Sequence, residues 1–162
     1  MSPRDVTVRP ALHKDISALT GMARALAETL GRRPDLLDKD AIASLLFGTD
    51  RWAEALIAFD PDHRALGYIT FSRKFEPHSG ARALIVGDFY VMAGRRGQGI
   101  GRLLLQAVAK RAVSQKCRAL LCDVRTDNQA ALTVFRRALG DPDGSIRPFR
   151  LEGDQLRDLA QG

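Results

Sequence analysis

The sequence predicts an α+β fold, a mixed and mostly antiparallel sheet flanked by helices. Three patterns carry that expectation. Apolar residues recur at helical spacing within the first fifty positions. Three strand-length apolar runs then succeed one another across tight turn clusters. A glycine-rich loop follows and opens directly into an amphipathic helix. The chain has 162 residues, 45% hydrophobic and 27% charged, which is one domain's worth of globular sequence. Residues 1–162 read as a single domain with no linker, repeat or low-complexity stretch.

The elements follow in order. Val6 to Pro10 reads as a short first strand, ended by proline. Ile16, Leu19, Ala23, Leu26, Ala27 and Leu30 keep helical spacing, with Gly31 as the stop. A second helix is expected over Asp35 to Phe47, closed by Gly48-Thr49-Asp50. Trp52 to Phe59 and Leu66 to Ser72 read as strands of an antiparallel hairpin, turned by Asp60-Pro61-Asp62-His63. His78-Ser79-Gly80 is the next turn, and Ala83 to Met92 the third apolar strand. Beyond the glycine loop, Ile100, Leu103, Leu104, Ala107, Val108 and Ala112 form the apolar stripe of a helix. Ala119 to Val124 has strand length. Thr126 and Gln129 have capping-box spacing for a helix that buries Ala131, Val134, Phe135 and Ala138. Gly140 to Gly144 ends it, and Ile146 to Leu151 is expected as a last strand.

Several classes are excluded. No run approaches the roughly 20 apolar residues that span a bilayer, so no membrane partner is expected. Met1 to Asp5 lead into no apolar signal segment. Cys117 and Cys122 are five apart; on a strand they point to opposite faces and cannot pair. Reduced core thiols suit the cytoplasm. His13, His63 and His78 are scattered, and neither they nor the cysteines have metal-ligand spacing.

The net charge is +6, and its distribution is informative. Residues 1–94 hold 12 basic and 12 acidic side chains, whereas residues 95–162 hold 13 and 7. The C-terminal half is therefore expected to meet an anion, either nucleic acid or a phosphorylated cofactor. Against nucleic acid, the ten aromatic residues do not alternate with the basic positions as stacking platforms would.

The loop Ala93 to Gly101 decides between them. The first amides of a helix lack internal partners and lie at the positive end of its dipole. Gly97, Gly99 and Gly101 let phosphate oxygens approach those amides, at some cost in helix propensity. Arg95, Arg96 and Arg102 add charged donors, although Arg95 has the plainer reading of a solvated neighbour. Arg102 stands where a nucleotide-triphosphate loop needs Lys-Ser/Thr, and Gly-x-Gly-x-Gly differs from the dinucleotide fingerprint.

Arg96, Gly99 and Gly101 match the Arg/Gln-x-x-Gly-x-Gly/Ala loop of the GNAT superfamily of N-acetyltransferases. Asn128 with Ala131 fits its Asn-x-x-Ala, after a helix and a strand in the same order. The chain resembles that superfamily over about Asp88 to Gly140, and its helix pair and meander are similar to the superfamily's N-terminal half. Within it, Leu37-Asp38-Lys39-Asp40 and Asp88-Phe89-Tyr90-Val91-Met92 are closest to the diamine (spermidine-type) enzymes.

The resemblance implies a GNAT-type fold and acetyl-CoA as co-substrate. Main-chain groups of Phe89, Tyr90 and Val91 would pair with its pantetheine arm. Amides of Gly97, Gln98, Gly99, Ile100, Gly101 and Arg102, with Arg96, would hold its pyrophosphate. Asn128 and Ala131 would flank the arm. Asp88 would act as base or amine-binding carboxylate, although it also reads as a polar residue at a strand-end bulge. A small-molecule or peptide amine is the expected acceptor, and a homodimer is common in the superfamily. A CoA-binding sensor or scaffold that has lost catalysis is the alternative.

Two positions depart from the pattern. Gly87 replaces the glutamate of a Glu-Asp pair, and Phe135 stands where tyrosine commonly serves as acid. A single carboxylate favours a less basic amine, and the neutral first half of the chain favours no polycation.

Overall fold

The computed structural model describes residues 5–142, 144 and 153–161. The elements are β1 (Thr7–Pro10), α1 (Ile16–Thr29), α2 (Lys39–Phe47), β2 (Glu54–Phe59), β3 (Ala65–Glu76), β4 (Ala81–Val91), α3 (Ile100–Ser114), β5 (Ala119–Cys122), α4 (Gln129–Leu139) and α5 (Asp154–Gln161). The five strands form one sheet in chain order. The first four are antiparallel, with short turns joining β2 to β3 and β3 to β4 and the helix pair α1–α2 joining β1 to β2; β5 is parallel to β4, because α3 crosses over between them.

Strand alternation sorts the apolar residues into two cores. Leu56, Ala58, Ile69, Phe71, Leu84 and Val86 face α3, which presents Ile100, Leu104, Leu105, Val108 and Ala112, with Phe135 of α4 at one end. Ala55, Ile57, Phe59, Tyr68 and Tyr90 face the opposite layer, where α1 supplies Leu19, Met22 and Ala23 and α2 supplies Leu46. β2 therefore reads as a continuous apolar run, as a strand covered on both faces must.

Several expectations change. The helix expected over Asp35 to Phe47 is broken: Pro34–Leu36 make one 3-10 turn, and Asp38 is extended. Its carboxylate accepts the Ala41 N–H at 2.7 Å, so α2 starts at Lys39. The Thr126 capping box is replaced by a cap two residues on. Asn128 accepts the Ala131 N–H at 3.1 Å, while the Gln129 amide donates to the Thr126 carbonyl. β3 and β4 run past the core as an exposed hairpin carrying Arg73, Lys74 and Phe75. Ala138 is exposed. α5, which had no counterpart in the sequence reading, presents Leu156 and Leu159 to solvent. The strand expected over Ile146 to Leu151 lies outside the described residues.

Both cysteines are free thiols, and burial pushes Cys122 up to about 12. No described helix is long and apolar enough to cross a membrane, and no metal-binding group occurs among the described residues.

One ion pair joins β1 to the start of α1. Arg9 donates to both oxygens of buried Asp15, at 2.7 and 3.0 Å, and the Leu12 N–H donates to the same carboxylate at 2.8 Å. The Arg9 guanidinium also lies 4.2 Å from the Phe59 ring centre. The hydrogen bond from Arg9 holds the Asp15 carboxyl below its ordinary 3.8. A depressed carboxyl contributes its stability above its unfolded value and loses it as pH falls through the folded one. Asp15→Asn is expected to cost about 2–4 kcal/mol at pH 7. In urea titrations the gap to wild type should close as pH falls below 3.8; a gap independent of pH contradicts this account.

Candidate active site

β4 pairs with β5 only from Ala83 to Val86, yet it stays paired with β3 as far as Val91. The cause is a bulge. Ile69 faces Phe89 and Phe71 faces Val86, so Thr70 alone stands opposite both Gly87 and Asp88. The Thr70 hydroxyl accepts the Asp88 N–H at 2.7 Å. A Cβ on Gly87 would lie 2.8 Å from that same oxygen, so the bulge has no room for a side chain at 87. Past it, the β5 side of β4 is open.

Backbone alternation determines what that open edge presents. The Met92 N–H bonds the Leu66 carbonyl at 3.0 Å, so Tyr90 also turns its peptide groups toward β3. Those of Phe89 and Val91 then turn outward. At Gly67 a Cβ would lie 2.5 Å from the Tyr90 carbonyl, so glycine permits this close pairing.

The loop continues the edge into α3. After a single turn at Ala93–Arg95, Gly97 and Gly99 adopt φ of 76° and 81°, the left-handed region that favours glycine. Gly99 caps α3 without a side chain, in contrast to Asp38 and Asn128 at α2 and α4. The first amides of α3 therefore keep no side-chain acceptor. A Cβ on Gly101 would come within 2.8 Å of the Phe89 ring, which packs edge-on against Phe135 at 5.3 Å. Phe135 is thus a core residue, as its place on the apolar stripe implied.

These elements enclose a cleft of about 300 Å³. Phe89, Tyr90, Val91, Arg96, Gly97, Gly99, Ile100, Gly101, Asn128 and Ala131 all line it. Two of the expected contact residues do not. Gln98 turns back, its amide nitrogen on the Gly94 carbonyl at 3.3 Å, and Arg102 lies exposed on the helix flank. Arg96 folds over β4: its Nε donates to the Val91 carbonyl at 3.1 Å, and its guanidinium lies 5.9 Å from the Tyr90 ring centre.

Leu26 and Thr29 of α1 and Leu30 just past its end complete the wall, with Arg95, Ala130 and Val134. Helical spacing put Leu26 and Leu30 on the apolar stripe of the first helix, and that stripe runs past the buried set Ile16 to Ala23.

Asp88 stands beside the cleft, with its side chain exposed. The Tyr68 hydroxyl, at the base of the strand pair, donates to its Oδ2 at 2.9 Å. Tyr68 is fully buried; that burial and the Asp88 charge push its phenol far above its ordinary value. It therefore remains a hydrogen donor to the carboxylate.

Residues 21–141 match the model of the acetyltransferase (GNAT) family. The chain belongs to the GNAT acetyltransferase family. An L-methionine sulfoximine/L-methionine sulfone acetyltransferase of Pseudomonas paraeruginosa is 32% identical over 82 residues, 51% of this chain and 47% of that protein. The match thus spans about half the length of that relative. Mouse (Mus musculus) thialysine N-epsilon-acetyltransferase is 26% identical over 165 residues, 94% of this chain and 96% of its own. An integron cassette protein of V. cholerae shares the fold, with a TM-score of 0.82, 21% identity, and coverage of 98% of this chain and 99% of its own. Both of these curated relatives are acetyltransferases. The family generally draws its acetyl group from acetyl-CoA.

The bulge gives a direct test. Gly87→Ala must displace the Thr70 hydroxyl and break its bond to Asp88, at a cost of about 1–2 kcal/mol. Thr70→Ala removes both the obstacle and the bond. Chemical denaturation of the two single variants and the double should give a double-mutant loss well below the sum. Strict additivity contradicts the packing described.

Proposed function

We propose that the cleft holds acetyl-CoA and that Asp88 receives the proton of an acceptor amine carried by a small, amino-acid-like molecule. The observation that carries this reading is continuity. An open strand edge at Phe89 and Val91 runs straight into a side-chain-free turn and an uncapped helix N-terminus. An extended amide-bearing arm ending in a pyrophosphate has that same order of needs: strand-like partners, then clustered N–H donors. Among the described residues, no carboxylate lines the cleft to repel phosphate.

The donor supplies an activated thioester; the chain positions and deprotonates the amine. Freeing a lysine-like amine at pH 7 costs roughly 4–5 kcal/mol, and an α-amine of pKa about 8 only ~1 kcal/mol. Asp88, held by Tyr68 and by the Thr70 bond to its own N–H, is the one carboxylate set at the bulge. The outward N–H groups of the open edge are the donors suited to an oxyanion at the thioester carbonyl. Phe135 supplies no proton, and a thiolate of pKa near 8.5 leaves without one.

Two observations favour the amino-acid-like acceptor. The relatives named above act on methionine sulfoximine or sulfone and on thialysine, all amino acids. A diamine, the narrower expectation from the sequence, would profit from a second carboxylate, and Thr70 fills the space at position 87. The free thiols favour a cytoplasmic setting, and a homodimer is implied by the family resemblance alone.

Thiol release from acetyl-CoA, measured across amino acids, peptides and diamines of graded amine pKa, tests the acceptor. Less basic amino-acid amines should lead; a clear preference for polyamines contradicts the reading. Asp88→Asn should lower kcat by about 10²–10³-fold while leaving acetyl-CoA affinity unchanged. Tyr68→Phe, which removes one donor to Asp88 and little volume, should lower kcat about tenfold. Unchanged rates in both variants would remove Asp88 from the mechanism.

A further inference from the structure

Of the described lysines and arginines, all but two are exposed. The two are Arg9 and Arg95. Arg9 is neutralised by Asp15 and stacked on Phe59. Arg95 is drawn into the wall of the cleft beside Leu26, Thr29 and Leu30, and it makes no ion pair or side-chain hydrogen bond among the described residues. A partly shielded cation without a counter-charge is an unsatisfied group, and its natural complement is an anion in the same space.

Arg96, which carries the motif match, is differently engaged. Its Nε is spent on the Val91 carbonyl, one of the outward peptide groups of the open edge. Its guanidinium lies toward Tyr90, so its contacts are with the strand rather than with the turn. The two adjacent arginines have thus divided the work that the motif assigns to one.

We propose that Arg95 is the phosphate-reading residue of the cleft, and that Arg96 is a positioning residue that occupies the Val91 carbonyl. This rests on the acetyl-CoA reading above. The ligand class follows from convergence. Arg95 and the uncapped start of α3 bring positive charge to the wall of one cleft, and among the described residues no carboxylate lines it.

Isothermal titration with two ligands separates the roles: CoA, and pantetheine, which lacks the phosphates. Arg95→Ala should weaken CoA about 10- to 100-fold, flatten its salt dependence and leave pantetheine within about twofold. Arg95→Lys should recover part of the loss. Arg96→Ala should change CoA and pantetheine by the same factor, because its contact is to the strand edge. Thermal unfolding of each variant checks that the fold is intact. If wild type binds CoA and Arg95→Ala binds it equally well, the assignment to Arg95 is overturned alone. If wild type binds neither CoA nor pantetheine, the cofactor reading falls and the assignment falls with it.

Discussion

The rest of the molecule depends on one extra residue in β4. Thr70 faces both Gly87 and Asp88, and the strand bends away from β5 at that point. The pairing of β4 with β5 ends at Val86, immediately before the bulge, and the cleft opens along the strand beyond it. Past it, the strand presents outward peptide groups at Phe89 and Val91, three and five residues beyond the last pair with β5. The same bond that holds the bulge, from the Asp88 N–H to Thr70, directs the Asp88 side chain onto the Tyr68 hydroxyl. Opening of the cleft and placement of the carboxylate are therefore a single structural event.

The price of that arrangement is a missing second carboxylate. Gly87 is not an accidental gap, because the Thr70 oxygen occupies the position its Cβ would need. One carboxylate stands at the bulge, braced by a buried phenol that stays protonated. That combination matches an acceptor amine that gives up its proton readily. The positive charge has a comparable local logic. The excess begins at Arg95, where the open edge meets the glycine turn, and Arg95 is the one shielded cation there without a partner.

Much of this was legible in the sequence, and the residues say why. The glycine spacing at 97, 99 and 101 reports backbone conformation directly, since φ of 76° and 81° leaves few alternatives to glycine. Alternating and helical apolar patterns report which faces are buried, so the antiparallel meander and the core position of Phe135 followed. Side-chain direction is not encoded at that level. Arg95 and Arg96 are equivalent as letters, and only packing sends one into the cleft wall and the other back to Val91. Leu26 and Leu30 continue the α1 stripe without a break, so the point where the sheet beneath them ends could not be read locally. Asp38 and Asn128 were both visible as polar residues near helix starts. Which one of several candidates caps is decided by where the preceding chain arrives.

The central claim is that the open edge of β4 pairs with the donor's amide-bearing arm. Residue-resolved hydrogen exchange with and without acetyl-CoA measures it. The Phe89 and Val91 amides should exchange quickly in the free protein and become protected with the ligand, together with the amides from Gly97 to Gly101. Tyr90, turned toward β3, should be protected in both. If Phe89 and Val91 exchange equally fast in the presence of saturating acetyl-CoA, the edge is not the binding surface.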